Sequence, residues 1–374
     1  MNKVDLIKKS GLFDENYYLE TYPDVKDYLE KHRGTPSDTI AHYLLFGAKE
    51  MRNPSEKFNT RYYLETYPDV EGNPLIHFIL HGYKEGKRPC QPKYFLTMAA
   101  CVKNEARYLE EWLCYYIYHG VEHFYLSDDE SIDDTKEVLK PYIEEGYVTL
   151  YENQRKAGIL QVQFYDKIVK DKRYETEWCC FFDADEFFQA KDHLKLATYL
   201  KSFPSQVSGI ELNWKCFGDS FLEEYDDRLV IQRFVRHATF DWQNSGHAKS
   251  ICKLIHTKAT QENPHIFAYL RGILSNDKGE KIVPAPFMLG YATSLQRSWE
   301  MAWLNHYYSK TREEFELRLK RGYADKEGAR IEEFSLKNQN NLYDDSMQFY
   351  VSEIEVLMQK FHHIRASIKK EENQ

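Results

Sequence analysis

From Tyr94 onwards, apolar runs typical of buried β-strands alternate with amphipathic patterns typical of helices. The strand-like runs cover residues 94–101, 123–126, 147–151 and 178–182. Asn104 is predicted to cap the first intervening helix, which carries an apolar stripe through Leu109 and Trp112. This alternation predicts an α/β fold with a mostly parallel sheet flanked by helices. A ligand site is therefore expected beyond the carboxyl ends of the strands.

Acidic residues follow three of these strand-like runs directly. Glu105 follows the first run and Asp128 the second, and the sequence DADE places Asp183 and Asp185 after a later run. Carboxylates that leave a buried strand carry a desolvation cost, which a helix cap or a bound cation can relieve. Oxygen ligands suit Mg²⁺ or Mn²⁺, so Asp183 and Asp185 are predicted to bind one of these ions. The alternative is that Asp183 caps the next turn while Asp185 and Glu186 are solvated.

An internal repeat precedes this pattern. The sequence YYLETYPDV occurs at Tyr17–Val25 and again at Tyr62–Val70. Each copy predicts two short helices around a Tyr-Pro-Asp turn. In the first copy, the apolar stripe of the second helix is predicted to be His42, Leu45 and Phe46, with Gly47 ending the helix. Each unit is too small to bury a core alone, so the copies are expected to pack on each other. Scaffolding and docking both remain open as roles.

We expect three domains. They are a helical repeat domain at 1–92, an α/β domain at 93–322 and a helical tail at 323–374.

The charge balance excludes one class of partner. The net charge of −9 gives no global basic field that would hold nucleic acid. The short basic cluster of Arg318, Lys320 and Arg321 is interpreted as a solvated helix face. The seven cysteines form no CxxC pair and are predicted to be free thiols, which favours a reducing compartment. Neither a signal-peptide core nor a membrane-length apolar run is found, so a cytoplasmic location is expected.

Several segments in this order carry a family resemblance: AACVKNEARYLEEW, FYLSDDESIDDT, WCCFFDADEFF, NWKCFGDS, HAKSICK and LNHYYSK. Together they resemble family 92 and related family 2-like glycosyltransferases of the GT-A type, over about Tyr94 to Gly322. The resemblance implies metal-dependent, inverting transfer of a sugar from a nucleotide donor, expected to be a UDP-sugar, with Mn²⁺ or Mg²⁺ as cofactor. The expected acceptor is a surface polysaccharide or a lipid-linked glycan. Peripheral membrane association and self-association remain open.

The resemblance also implies roles for matching residues. Asp183 and Asp185 would be the metal pair, with His306 as the first candidate for a third ligand and His265 as the second. The residues expected to hold the nucleotide-sugar are Glu105, Asp128, Gln161 and Lys249.

An inverting enzyme needs a general base for the acceptor hydroxyl. We rank Asp219 first and Asp241 second. Glu211 is expected on a strand and buried, and Trp214 is either an acceptor-stacking ring or part of the core.

Two other functions are alternatives to glycosyl transfer. A non-catalytic glycan-binding or assembly protein on the same fold is the main alternative. A nucleotidyltransferase is disfavoured, because AACVKNEARYLEEW lacks a glycine-rich phosphate loop after the first strand.

Overall fold

The structure is a computed structural model that describes residues 2–31, 36–152, 160–283, 296–321 and 331–372. The chain forms two compact units. The first is Met1–Lys93 together with Lys172–Glu177, and the second is Tyr94–Asp171 together with Trp178–Gln374. Within the described ranges, no helix has the length and apolar character needed to cross a membrane.

The first unit is helical. Its α-helices are α1 (Lys3–Ser10), α2 (Glu15–Thr21), α3 (Pro23–Lys31), α4 (Pro36–His42), α5 (Thr60–Thr66), α6 (Pro74–His77) and α7 (Tyr83–Glu85). Two π-helices follow α4 and α6, at Tyr43–Gly47 and Phe78–Gly82. As the Tyr-Pro-Asp turn predicts, α2 ends just before Pro23, whose fixed φ suits the first position of the next helix.

Both copies of the repeat use the same close contact. The Tyr18 hydroxyl lies 3.2 Å from Nδ1 of His42 and touches the backbone of Gly47. A Cβ added at Gly47 would lie 2.1 Å from that hydroxyl, and one added at Gly82 would lie 2.1 Å from the hydroxyl of Tyr63. Only glycine allows so close an approach, which explains why both copies carry it.

The predicted second stripe of the repeat is wrong. Leu45 and Phe46 are 59% and 50% exposed, whereas Tyr43 is fully buried. The π-helix over Tyr43–Gly47 widens the turn, so Gly47 lies inside a helical segment rather than ending it. One core nevertheless joins both copies, and it includes Ile7, Tyr18, Val25, Tyr43, Phe58, Tyr63, Leu75 and Phe78.

The second unit is a mixed α/β fold. Its strands are β1 (Tyr94–Val102), β2 (His123–Asp128), β3 (Val148–Glu152), β4 (Thr176–Cys180), β5 (Glu186–Ala190), β6 (Val207–Cys216), β7 (Arg236–His237), β8 (Ala248–Lys253), β9 (Thr257–Thr260), β10 (Phe267–Tyr269), β11 (Ile273–Ser275), β12 (Ala302–His306) and β13 (Leu342–Tyr343). Its helices are α8 (Ala106–Tyr118), α9 (Thr135–Glu144), α10 (Leu160–Asp171), α11 (Leu196–Lys201), α12 (Val230–Arg233), α13 (Arg312–Arg321), α14 (Glu332–Lys337) and α15 (Val351–Glu372). Short 3₁₀ segments occur at Lys191–His193, Gln243–Gly246, Leu254–His256 and Ser346–Tyr350.

The central sheet runs in the order β3-β2-β1-β4-β8-β6-β12-β5, and β11 also pairs with β6. Strands β1, β2 and β3 are parallel, as are β6 and β12, which confirms the predicted α/β fold with a mostly parallel sheet. Strand β8 is antiparallel to both β4 and β6. The beginning of β8 therefore meets the carboxyl ends of its two neighbours, where the ligand site is expected.

The C-terminal helix α15 packs on α8 and α9. His362 and Arg365 each place a nitrogen 2.6 Å from a carboxylate oxygen of Glu110. The ring of Phe361 stacks on Tyr142 with 3.9 Å between centroids. These contacts make α15 part of the second compact unit.

Glu211 lies on β6 and is 7% exposed, as the sequence predicts. Burial raises the pKa of this carboxyl from 4.5 to about 7. The unfolded state thus releases a proton that the folded state keeps, and stability falls as pH rises from 4.5 towards 7. We expect Glu211→Gln to raise the free energy of unfolding by about 1–3 kcal/mol near pH ~8 and to change it little near pH ~4.

Urea denaturation of the wild type and Glu211→Gln across this pH range measures the effect. Glu224→Gln, at an exposed position of the same unit, is the matched control. Equal stabilisation by Glu211→Gln at both ends of the range would contradict a buried, proton-retaining carboxyl.

Candidate active site

Asp183 follows β4 and is bound by two side chains from neighbouring elements. Gln161 Nε2, on α10, donates to its Oδ1 at 2.7 Å, and Lys249 Nζ, on β8, lies 2.8 Å from its Oδ2. The Lys249 side chain is fully buried, whereas that of Asp183 is 35% exposed. Burial favours the neutral carboxyl, but the Lys249 ammonium outweighs it and lowers the pKa of Asp183. Asp183 is therefore a fixed carboxylate with one side open.

Asp185 is more deeply buried, with its side chain 7% exposed. Arg318 Nη1 lies 2.9 Å from its Oδ2, and His306 Nε2 lies 3.6 Å from its Oδ1. Burial opposes ionisation, but Arg318 and then His306 outweigh it and hold the pKa of Asp185 well below its usual range. The alternative of a solvated Asp185 is therefore wrong.

The remaining carboxyl of the DADE sequence, Glu186, has another role. It is fully buried, and its Oε2 accepts a hydrogen bond from the backbone N–H of Asp183 at 2.9 Å. Burial raises the pKa of Glu186 well above its usual value. Its hydrogen bond holds the turn that carries Asp183 and Asp185.

Both candidate histidines lie near the carboxylates. His306 ends β12 opposite Glu186 of β5, and its ring lies 4.1 Å from that of Trp214. Burial lowers the pKa of His306, although Asp185 opposes this, so the imidazole favours its neutral form. His265 Nδ1 lies 2.9 Å from the carbonyl oxygen of Ala248, and burial lowers the pKa of His265 to about 3.

The loop after β1 and the turn after β2 are joined by hydrogen bonds. Asn104 does not cap α8 as predicted; its φ is +50° and its Oδ1 accepts from the Ile132 N–H at 2.8 Å. Asp133 replaces it, with Oδ2 accepting from the N–H of Ala106 at 3.1 Å. A residue that lies 27 positions away from Ala106 in the sequence therefore caps α8. Glu105 precedes α8, where its backbone N–H donates to Thr135 Oγ1 at 2.9 Å.

Asp128 ends β2 at the same edge and is 2% exposed. Its Oδ2 accepts from the Ser131 N–H at 3.2 Å, and Lys136 Nζ lies 3.7 Å from the same oxygen. Its buried Oδ1 has no hydrogen-bond partner among the described residues. An unsatisfied buried carboxylate oxygen is a ready acceptor for a ligand hydroxyl or N–H.

A cavity of about 470 Å³ has Glu105 in its wall, together with Arg318, the partner of Asp185. Four lining side chains are cationic: Arg107, Lys310, Arg318 and Lys320. The interpretation of a solvated basic face is correct for the exposed Lys320 but wrong for Arg318, whose side chain is 18% exposed. The signal for an inward-facing Arg318 is its helical spacing from the buried Phe315, three residues earlier.

The two candidate bases have different surroundings. Asp219 is bound to a distant segment: its Oδ2 accepts from Asn338 Nδ2 at 2.6 Å, and its Oδ1 accepts from Asn340 Nδ2 at 2.9 Å. Asp241 is exposed on the loop that leads into β8, the strand carrying Lys249. The hydrogen bonds of Asp219 therefore indicate a structural role for this side chain. The identity of the general base stays a prediction.

Residues 97–260 match the family model described as Glycosyltransferase family 92. Over this segment the chain is similar to family 92 glycosyltransferases. A family 92 protein of Ricinus communis is 30% identical over 112 residues, which are 29% of this chain and 18% of that protein. A galactan beta-1,4-galactosyltransferase of Arabidopsis thaliana is 36% identical over 104 residues, 25% of this chain and 20% of that enzyme. The chain thus spans about a fifth of the length of these relatives.

Among solved structures, S. aureus TarS 1–349 matches with a TM-score of 0.32 and 13% identity over 70% of each chain. The family 92 segment contains the DADE turn, Gln161 and Lys249. His306 and Arg318 lie beyond it. The structure therefore adds two contacts to Asp185 that the matched segment does not include.

Proposed function

We propose that this chain transfers a sugar from a UDP-sugar donor to a glycan acceptor, with inversion and with a divalent metal ion at Asp183 and Asp185. One observation carries the proposal. A segment that is similar to family 92 presents two ionised carboxylates at one edge of its sheet, and Arg318, the partner of Asp185, lines a cavity whose wall carries four cations and three carboxylates. The name of the Arabidopsis relative supports hexosyl transfer, but the matched segment is only 20% of that enzyme.

The donor fits this edge by charge. A diphosphate is complementary to the cationic wall of the cavity, where Lys310 and Arg318 lie close to the carboxylates. Glu105 lines the same cavity, and Asp128 lies at the turn joined to the Glu105 loop. Both carboxylates supply acceptors for the hydroxyls of a nucleoside. The edge formed by the carboxyl ends of the strands is also where α/β folds bind ligands.

The side chains around Asp183 and Asp185 are of the chemical types that bind a hard divalent ion. Two carboxylates and the neutral imidazole of His306 are suitable ligands for Mn²⁺ or Mg²⁺. Their arrangement is not that of a preformed cage, because the described residues contain no cluster of three or more His, Cys, Asp or Glu side chains placed to hold a metal. When bound, the ion would stabilise negative charge on the departing diphosphate.

The chain's own residues hold the carboxylates in place for this reaction. Gln161 and Lys249 fix both oxygens of Asp183, so its orientation changes little when a donor enters. The ring of His306 packs against Trp214, which takes up part of the indole surface that a sugar would need for stacking. Acceptor stacking on Trp214 is therefore the weaker of its two interpretations.

Release of UDP tests the proposal directly. The full chain is incubated with a panel of UDP-sugars and Mn²⁺, with and without a chelator, and free UDP is measured. We expect slow release that stops with chelator and returns when Mn²⁺ is restored. Tight UDP binding without release, for any acceptor tried, would instead support a glycan-binding protein. One observation favours that second function: each carboxylate is already neutralised by a cation of the chain.

The general base is tested by two matched variants. Asp241 is exposed near the beginning of β8, whereas both oxygens of Asp219 already accept hydrogen bonds. Removing a general base costs about 10²–10⁴-fold in rate. We expect a loss of this size in kcat for Asp241→Asn, and lower thermal stability with a smaller loss of kcat for Asp219→Asn. The reverse pattern would restore Asp219 as the base.

The acceptor and location remain parts of the proposal. We infer a surface polysaccharide or lipid-linked glycan as acceptor from the resemblance alone. The seven cysteines are all free thiols, which supports a cytoplasmic location, where nucleotide-sugars are kept. Labelling of seven thiols in protein isolated under alkylating conditions would agree with this location.

A further inference from the structure

The two carboxylates of the site differ in how firmly their cations are held. Lys249 is fully buried on the central strand β8, and its Nζ lies 2.8 Å from Asp183. Arg318 is on the peripheral helix α13, with its side chain 18% exposed. A buried lysine cannot leave its partner without a large desolvation cost, whereas an arginine at a cavity wall can exchange partners.

Arg318 is placed between two destinations. Its Nη1 lies 2.9 Å from Asp185 Oδ2 and 2.9 Å from the carbonyl oxygen of Tyr308, and its guanidinium lies 4.1 Å over the Tyr308 ring. The same side chain lines the cavity that fits the donor. A planar guanidinium binds phosphate oxygens as well as it binds a carboxylate.

Asp185 would not be left uncompensated if Arg318 turned away. His306 lies 3.6 Å from its other oxygen. The buried Lys310 also interacts electrostatically with Asp185. A divalent ion that approaches Asp185 must nevertheless compete with the Arg318 guanidinium for the same oxygen.

We propose that Arg318 is an exchangeable counter-charge, which neutralises Asp185 in the absence of ligand and moves to the diphosphate when the donor binds. This exchange frees Asp185 Oδ2 for the metal ion and couples metal binding to donor binding. Arg318 is thus a positioning residue. The inference rests on the proposed function, because it assigns the anion in the cavity to a nucleoside diphosphate.

The proposal predicts effects of opposite sign from one substitution. Without nucleotide, Arg318→Ala is expected to bind Mn²⁺ about tenfold more tightly, because the competing cation is gone. Without metal, the same variant is expected to bind UDP about tenfold more weakly, because the diphosphate loses a charged donor. Damage to the fold would weaken both, so the opposite signs separate exchange from a structural role.

Electron paramagnetic resonance of free Mn²⁺ measures the first affinity in metal-stripped protein, and calorimetry with UDP in chelator measures the second. Arg318→Lys keeps the charge and should lie between the wild type and Arg318→Ala in both. Arg312→Ala is the matched control: it removes an arginine of the same helix that is 67% exposed and pairs with Glu316. We expect it to match the wild type in both measurements.

The outcomes distinguish a failure of the Arg318 exchange from a failure of the proposed glycosyl transfer. If the wild type binds UDP but Arg318→Ala binds Mn²⁺ no more tightly than the wild type, the exchange is wrong while the proposed function stands. If the wild type binds no UDP, the proposed function fails and the exchange fails with it.

Discussion

Asp185→Asn is expected to lower the rate of sugar transfer by about 10²–10³-fold, the loss typical when one group that stabilises developing charge is removed. The asparagine keeps the size of the side chain but loses the charge that binds a metal ion. Arg318 lines the cavity and its side chain is 18% exposed, so the loss of its partner should change the fold little. Release of UDP from the donor measures kcat, and thermal unfolding measures stability.

Asp192→Asn is the matched control for this prediction. Asp192 is exposed seven residues further along the chain, and its φ of +55° is one that asparagine adopts readily. Its kcat should equal that of the wild type. Wild-type turnover by Asp185→Asn, with the same dependence on Mn²⁺, would remove Asp185 from the reaction.

Glu314→Gln is expected to lower the free energy of unfolding by about 3–5 kcal/mol, because it leaves a buried arginine without its counter-charge. Glu314 lies in the first turn of α13 and 2.8 Å from Arg233, and both side chains are 1% exposed. Its carboxylate also accepts from Tyr108 Oη at 2.9 Å and from the Thr311 N–H at 3.1 Å. One charged group thus joins α8, α12 and α13 beside the cavity that Arg318 lines.

Glu316→Gln, two residues along the same helix, is the control. Its partner Arg312 is 67% exposed and Glu316 is 51% exposed, so the loss should be about 0.3–0.5 kcal/mol. Urea denaturation of the two variants measures the difference. Equal losses would mean that burial adds nothing to the Arg233–Glu314 pair.

The elements that the sequence predicts well are those with a local signal. Alternation of strand and helix patterns predicts the sheet, and its strand ends predict where the acidic residues gather. Glu211 is buried as predicted, because a residue inside a continuous apolar strand has little choice of environment. The π-helix at Tyr43–Gly47 carries no comparable signal, and the stripe predicted there is wrong.

Partners far apart in sequence could not be predicted in this way. Asp133 caps α8 in place of Asn104, and Asp219 is bound by Asn338 and Asn340. Each depends on which loops the fold brings together. The pattern of apolar and polar residues within one loop does not indicate which other loop will pack against it.

The sequence by itself determined the kind of fold and predicted the sheet edge and the carboxylates of the candidate site, because period and strand ends are properties of short stretches of chain. Tertiary structure decided which cation faces each carboxylate. The insertion of β8 between β4 and β6, antiparallel to both, brings Lys249 to Asp183. The packing of α13 brings Arg318 across 133 residues to Asp185. Ion pairs of this kind form wherever the topology places two side chains within a few ångströms, so only the folded chain specifies them.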